Sequence, residues 1–148
     1  EAISVQQRDA VVQSLVYSYV RDRETFNQLD NDVRVRSVLE RSSGAALESM
    51  RSLWSSENPD YPERKYGPRA RMDVEVLSVT LITEDRATVR IRKRLADDDG
   101  VTQGLFTVTL AFRYETTEAR SLDEVWTNPF GFTVYEYGIA SDRLEDHQ

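Results

Sequence analysis

The chain contains no cysteine, which excludes disulfides, thiolate metal sites and thiol nucleophiles while leaving the compartment open. Its one histidine, His147, stands one residue from the end in a polar tail where nothing could hold it dry. With no second histidine and no thiol there is no zinc signature, and no Ser-His or Cys-His nucleophile pair. Lysine is nearly as scarce: Lys65 and Lys93 stand alone among 19 basic residues. Almost all positive charge is therefore arginine, whose planar fork suits bidentate pairing with carboxylates. The glycines are isolated, and neither Ser43-Gly44-Ala45-Ala46 nor Gly131-Phe132 sits in a phosphate-cradling loop. No run approaches the roughly 20 apolar residues of a membrane span, and no signal peptide is visible. The chain opens on Glu1 directly before a helical pattern, as an excised fragment would, and a signal or an anchor is expected upstream of it.

The 148 residues suit one domain with one hydrophobic core. At 39% hydrophobic and 30% charged, the composition is that of a soluble globular protein. A net charge of -7 argues against nucleic acid as a main partner and against docking on anionic lipid, because both need a surplus of basic side chains.

From Ser4 to about Asn27, Val12, Val16, Tyr19, Val20 and Phe26 recur at spacings of three and four, predicting one long amphipathic helix. Asp30 or Asn31 can cap a second, short helix carrying Val35, Val38 and Leu39, with Gly44 just past its end. Ser42 or Ser43 can cap a third, bearing Ala46, Met50, Leu53 and Trp54. Residues 57–70 hold Pro59, Pro62, Gly67 and Pro68 among charges, a composition that reads as a long loop. Beyond it the period drops to two. A strand runs from Met72 to Ile82 with a phase change near Leu77 that suggests a bulge, and Glu84-Asp85 forms the turn. The next strand puts Ala87, Val89 and Ile91 on one face and Arg90, Arg92 and Arg94 on the other, a row able to pair with Asp73 and Glu75 if the strands are neighbours. After the Asp97-Asp98-Asp99-Gly100 hairpin loop, Phe106, Val108, Leu110, Phe112 and Tyr114 share one face of a third strand. A charged connection then leads to Val125-Trp126, a turn at Asn128, and a last strand from Phe132 to Ile139. The expectation is an α+β domain: helices over residues 1–56, a loop at 57–70, a curved antiparallel sheet of about four strands over 71–140, and a polar tail at 141–148. This order resembles the cone shared by nuclear transport factor two and ketosteroid isomerase, a fold that hosts both enzymes and binding modules.

Chemistry is hard to find. Asp97-Asp98-Asp99-Gly100 lacks the alternate spacing and the closing glutamate of a calcium loop. An isomerase would need a carboxylate base and a hydroxyl donor in one apolar pocket. Asp73 and Glu75 alternate with the core residues of their strand, Tyr135 and Tyr137 share a face of the last, and nothing forces a carboxylate and a tyrosine inward together. No catalytic, metal or cofactor residues are assigned, and no cofactor is expected. A deep apolar pocket with an inward carboxylate would favour an enzyme or small-molecule binder; a cone filled by Phe106, Phe112 and Trp126 would exclude it.

In Asn128-Pro129-Phe130-Gly131, proline fixes one backbone angle, asparagine can bond back across the turn, and glycine permits a positive φ. This element, followed by Phe132-Thr133-Val134 and Tyr137, resembles the Asn-Pro-x-Gly motif of the VirB-eight family of type IV secretion assembly factors. Tyr19-Val20-Arg21-Asp22-Arg23-Glu24 is similar to that family's tyrosine and Arg-Glu helix segment, and the helices-loop-sheet order covers nearly the whole chain. The resemblance implies an inner-membrane protein with one membrane helix and this domain in the periplasm. It also implies a non-enzymatic scaffold that contacts itself, as a weak homodimer, and other channel subunits. Asn128, Pro129 and Gly131 carry the motif over as a shaped turn near a contact surface. Tyr17, Arg21 and Glu24 on the first helix, with Phe130 and Tyr135, are the expected interface; Tyr17 and Tyr19 cannot both enter one narrow apolar stripe, and Tyr19 is the one expected inside. A partner-binding module of a different export machine is the remaining reading.

Overall fold

A computed structural model describes residues 5–114, 122–123, 128 and 131–142. The helices α1 (Val5–Glu24), α2 (Asn31–Glu40), α3 (Gly44–Leu53) and α4 (Pro62–Tyr66) accompany one curved antiparallel sheet. Its strands β1 (Phe26–Asn27), β2 (Arg71–Thr83), β3 (Arg86–Asp97), β4 (Gly100–Tyr114) and β5 (Phe132–Ser141) lie side by side in chain order. The four long strands are those the period-two alternation predicts. The fifth, β1, is an addition: Phe26 leaves the helix and pairs with Met72, because its ring buries against Ala70 and Met72 better than it could continue α1.

The helices cover one face. Val12, Val16, Tyr19 and Val20, spaced to fall on one side of α1, are all 4% exposed or less and pack over the apolar face formed by Val89 and Ile91 of β3 and Val108 and Leu110 of β4. Tyr17, between them in sequence, points away. Val38 of α2 and Ala46 and Met50 of α3 close the core over Phe112, Phe132 and Val134. Removing a ring such as that of Phe112, fully buried against Phe132 at 5.4 Å, would cost about 3–5 kcal/mol.

Two local details differ from expectation, and a third goes beyond it. Residues 57–70 are not all loop: Pro62 occupies the first turn of α4, where its missing N–H is no loss and its fixed φ suits a helix. Gly44 begins α3 rather than following α2; its φ is +53° and an added Cβ would lie 3.4 Å from the Tyr135 carbonyl oxygen. The phase change in β2 is a bulge at Leu77, as its alternation predicts, and a second follows at Ile82, each leaving a large apolar side chain outward.

The segment between α2 and α3 also meets the sheet. Ser42 forms a parallel bridge with Val134, with the Ser43 N–H donating to the Val134 carbonyl at 2.9 Å and the Val134 N–H to the Arg41 carbonyl at 2.8 Å. A bulge at Tyr135 makes this possible, because it turns the Val134 backbone out of the β4 ladder.

Candidate functional site

The turn before β5 has a definite geometry. The Gly131 N–H donates to the Asn128 carbonyl at 2.9 Å, and Gly131 takes φ +61°, a conformation glycine adopts without a Cβ clash. The Asn128 amide bridges the turn: its Nδ2 donates to the Phe132 carbonyl at 2.7 Å and its Oδ1 accepts the Phe132 N–H at 3.1 Å. Asparagine therefore locks the corner to the first residue of β5, whose ring lies in the core. Pro129 and Phe130 lie outside the described residues, as do Trp126 and His147.

The expected interface residues fall in different places. Tyr17 is 40% exposed on α1, with the Arg21 guanidinium over its ring at 5.3 Å, while Tyr19, two residues on, is wholly buried. Tyr135 is half-buried at its bulge on β5, the opposite side of the sheet from β1, with Arg113 over its ring at 4.4 Å. Glu24 does not join them on a surface. Its side chain is 12% exposed and turned inward, where Oε1 accepts from the Lys93 ammonium at 2.8 Å and Oε2 from the Tyr137 hydroxyl at 2.6 Å.

A carboxylate and a tyrosine are thus brought inward together after all, which corrects the sequence reading. The carboxylate comes from the last turn of α1 and not from the strands. Around this pair lies a continuous polar network. Arg23 stacks over the Tyr137 ring at 4.0 Å and donates to the Tyr19 hydroxyl at 2.9 Å, the Ala46 carbonyl at 3.1 Å and Ser49 Oγ at 2.8 Å. Since Ser42 Oγ donates to the Val38 carbonyl at 2.6 Å, the 2.7 Å contact between Tyr19 and Ser42 must have the Tyr19 hydroxyl as donor. The chain of donors is then Arg23 to Tyr19 to Ser42 to Val38. Burial first, and the neighbouring Glu24 charge second, hold the Tyr137 phenol well above its ordinary range.

This network floors a groove of about 440 Å³ between the end of α1, α3, α4 and β5, walled by Phe26, Trp54 and Tyr66. The arrangement differs from an isomerase site in one respect: both oxygens of Glu24 are already engaged within the chain, one by the Lys93 cation and one by the Tyr137 hydroxyl. Its chemistry is that of a three-way tie between α1, β3 and β5. Phe112 fills the core beneath, fully buried, while Phe106 is half-buried under the Lys93 ammonium at 4.8 Å. Among the described residues no group of acidic or histidine side chains could hold a metal.

The outer face of the sheet carries the arginine row. Arg92 pairs with Glu75 across β2–β3 at 2.6 Å, as adjacency requires. Asp73 is taken by Arg71 at 3.2 Å, and Arg90 and Arg86 reach past β4 to Asp142 and Glu136. The Asp142 carboxyl sits below the usual carboxylate range, chiefly because Thr107 and then Arg90 donate to it.

Helices on one face of a curled antiparallel sheet, an inward polar tie in place of an open catalytic constellation, and a locked Asn-Gly corner define a domain of the nuclear transport factor two-like class. The protein family described as VirB8 protein matches residues 1–142. The type IV secretion system protein PtlE of Bordetella pertussis is 33% identical over 91 residues, 60% of this chain and 39% of PtlE. Protein virB8 of Agrobacterium tumefaciens is 26% identical over 140 residues, 95% of this chain and 60% of virB8. The chain therefore spans less than two thirds of either relative. The solved structure of Agrobacterium tumefaciens VirB8 superposes with a TM-score of 0.85 over 99% of both chains at 22% identity, a likeness of fold. The chain belongs to the VirB8 family of type IV secretion system proteins.

Proposed function

We propose that this domain is a non-enzymatic scaffold of a bacterial type IV secretion channel, acting through weak self-association and through contacts with other channel subunits. It works in the periplasm, carried on the inner membrane by a helix upstream. Among the described residues no helix is long and apolar enough to cross a membrane.

The observation that carries the reading is Tyr17. An aromatic ring 40% exposed beneath an arginine, on a helix whose other face is fully committed to the core, is the composition of a protein contact. The Asn128–Gly131 corner, locked to β5, supports a second fixed contact point. Sedimentation velocity over a concentration series tests the proposal: the average mass should climb with concentration. A monomer at every accessible concentration would overturn the self-association.

The groove beside Glu24 and Tyr137 favours a second reading, a small-molecule binder or isomerase-like enzyme of the same fold. It is the weaker, because the carboxylate is already paired with Lys93.

A further inference from the structure

The two edges of the sheet are finished differently. The β2 edge is covered by β1 at one end, bulged at Leu77 and Ile82, and touched by α1, whose Gln13 donates to the Val79 carbonyl at 3.3 Å. Such devices discourage further pairing. The β5 edge has them only at its start, where Arg41–Ser43 pairs with Val134 and Tyr135 bulges. From Tyr137 to Ser141 the sequence Tyr-Gly-Ile-Ala-Ser has no charge, no proline and no further register shift.

The ladder fixes which backbone groups face outward. The Asp142 N–H donates to the Leu105 carbonyl at 2.8 Å, so alternation along an antiparallel pair turns Ala140, Gly138 and Glu136 toward β4. Tyr137, Ile139 and Ser141 must direct their N–H and C=O groups away from it, and among the described residues nothing accepts or donates there. The Ile139 side chain is 39% exposed, and a Cβ built at Gly138 meets nothing within 4 Å. Beside this edge lies the groove of about 440 Å³, lined by Tyr137, Gly138 and Ile139 and by Trp54 and Tyr66 opposite.

We propose that the free edge of β5, Tyr137–Ser141, receives an extended segment of another protein as an added strand, with apolar side chains at alternate positions of that segment entering the groove. The unpaired backbone groups specify a strand, since only a strand offers donors and acceptors at that repeat. The groove favours alternating apolar side chains, because its wall is aromatic and the Arg23, Glu24 and Lys93 groups of its floor are already engaged within the chain. Arg41–Ser43 already pairs in this manner one step further along the same edge. A second copy's β5 edge would satisfy the backbone but offer the groove little beyond Ile139, since its Tyr137 is tied to its own Glu24. The inference is independent of self-association through α1.

Amide hydrogen exchange on the isotope-labelled chain tests it, with capped peptides of about eight residues in which Val, Ile, Phe or Tyr alternates with Thr as the probes. Free, the amides of Tyr137, Ile139 and Ser141 should exchange fast while those of Gly138 and Ala140 exchange slowly. With peptide, the first three should slow by about tenfold or more. Ile139→Pro removes an outward N–H that the β4 ladder does not use, and should abolish the slowing; Ile139→Lys, an inward-facing charge on the edge, should do the same if the proline variant fails to fold. Three results would each overturn the proposal. The outward amides could stay fast with every peptide, they could be slow already in the dilute free chain, or they could slow with protein concentration alone, which would make the occupant a second copy.

Discussion

Charged pairs occur on both faces of the sheet, each a basic side chain on a glutamate and at similar distances, yet with different consequences. Inside, Lys93 and Glu24 are 16% and 12% exposed, and the pair is shared with Tyr137. Outside, Arg92 and Glu75 are 39% and 64% exposed and meet at 2.6 Å. Distance alone would rank the outer pair first. Burial reverses the order, because an ion that has left water has no alternative partner when its own is removed, whereas an exposed one returns to solvent. The inner tie also joins α1 to β3 and β5, elements far apart in the chain, while the outer pairs link strands that the backbone ladder already holds.

Breaking the inner tie should have the largest effect. Glu24→Ala leaves the Lys93 ammonium and the Tyr137 hydroxyl without their acceptor; allowing for partial solvent access, the loss should be about 2 kcal/mol, read as a fall of about 4–8 °C in Tm by calorimetry. Gly131→Ala should come next: forcing a Cβ onto φ +61° costs about 1–2 kcal/mol and loosens the entry to β5, measurable by urea unfolding. Glu75→Ala should change stability by about 0.5 kcal/mol or less, and 1 M salt should erase the difference.

Alkaline pH sharpens the same contrast. Tyr137 has its folded pKa raised above the ordinary tyrosine value. Its contribution is therefore fully present below about pH 10 and lost as pH rises beyond it, since the unfolded chain gives up the proton first. Unfolding followed from pH 8 to 11 should show this loss, and Tyr137→Phe should remove that component of the slope.

Much of the fold was legible because periodicity is a local signal. Alternating Ala87, Val89 and Ile91 opposite arginines gives a strand whatever lies beside it, and the slipped phase at Leu77 is a bulge written in the sequence. Tyr19 inside and Tyr17 outside follow from the width of one helical stripe. What escaped has no period. β1 is two residues long, and Pro62 starts a helix with the same residue that elsewhere ends one. Glu24 looked like a surface glutamate because its partners lie 69 and 113 residues away, and no local pattern announces a contact at that separation. The single lysine in a row of arginines on β3, Lys93 standing on the core side of its neighbours, was the one available hint.

On the proposed function, inward charges hold the domain together and the outward Tyr17 face is where it would join other chains. Sedimentation equilibrium on Tyr17→Ala beside Glu24→Gln tests that division most directly. Tyr17→Ala should weaken self-association about tenfold or more, and Glu24→Gln, while folded, should associate as the parent chain does. Unchanged association in Tyr17→Ala, or its loss in a folded Glu24→Gln, would contradict it.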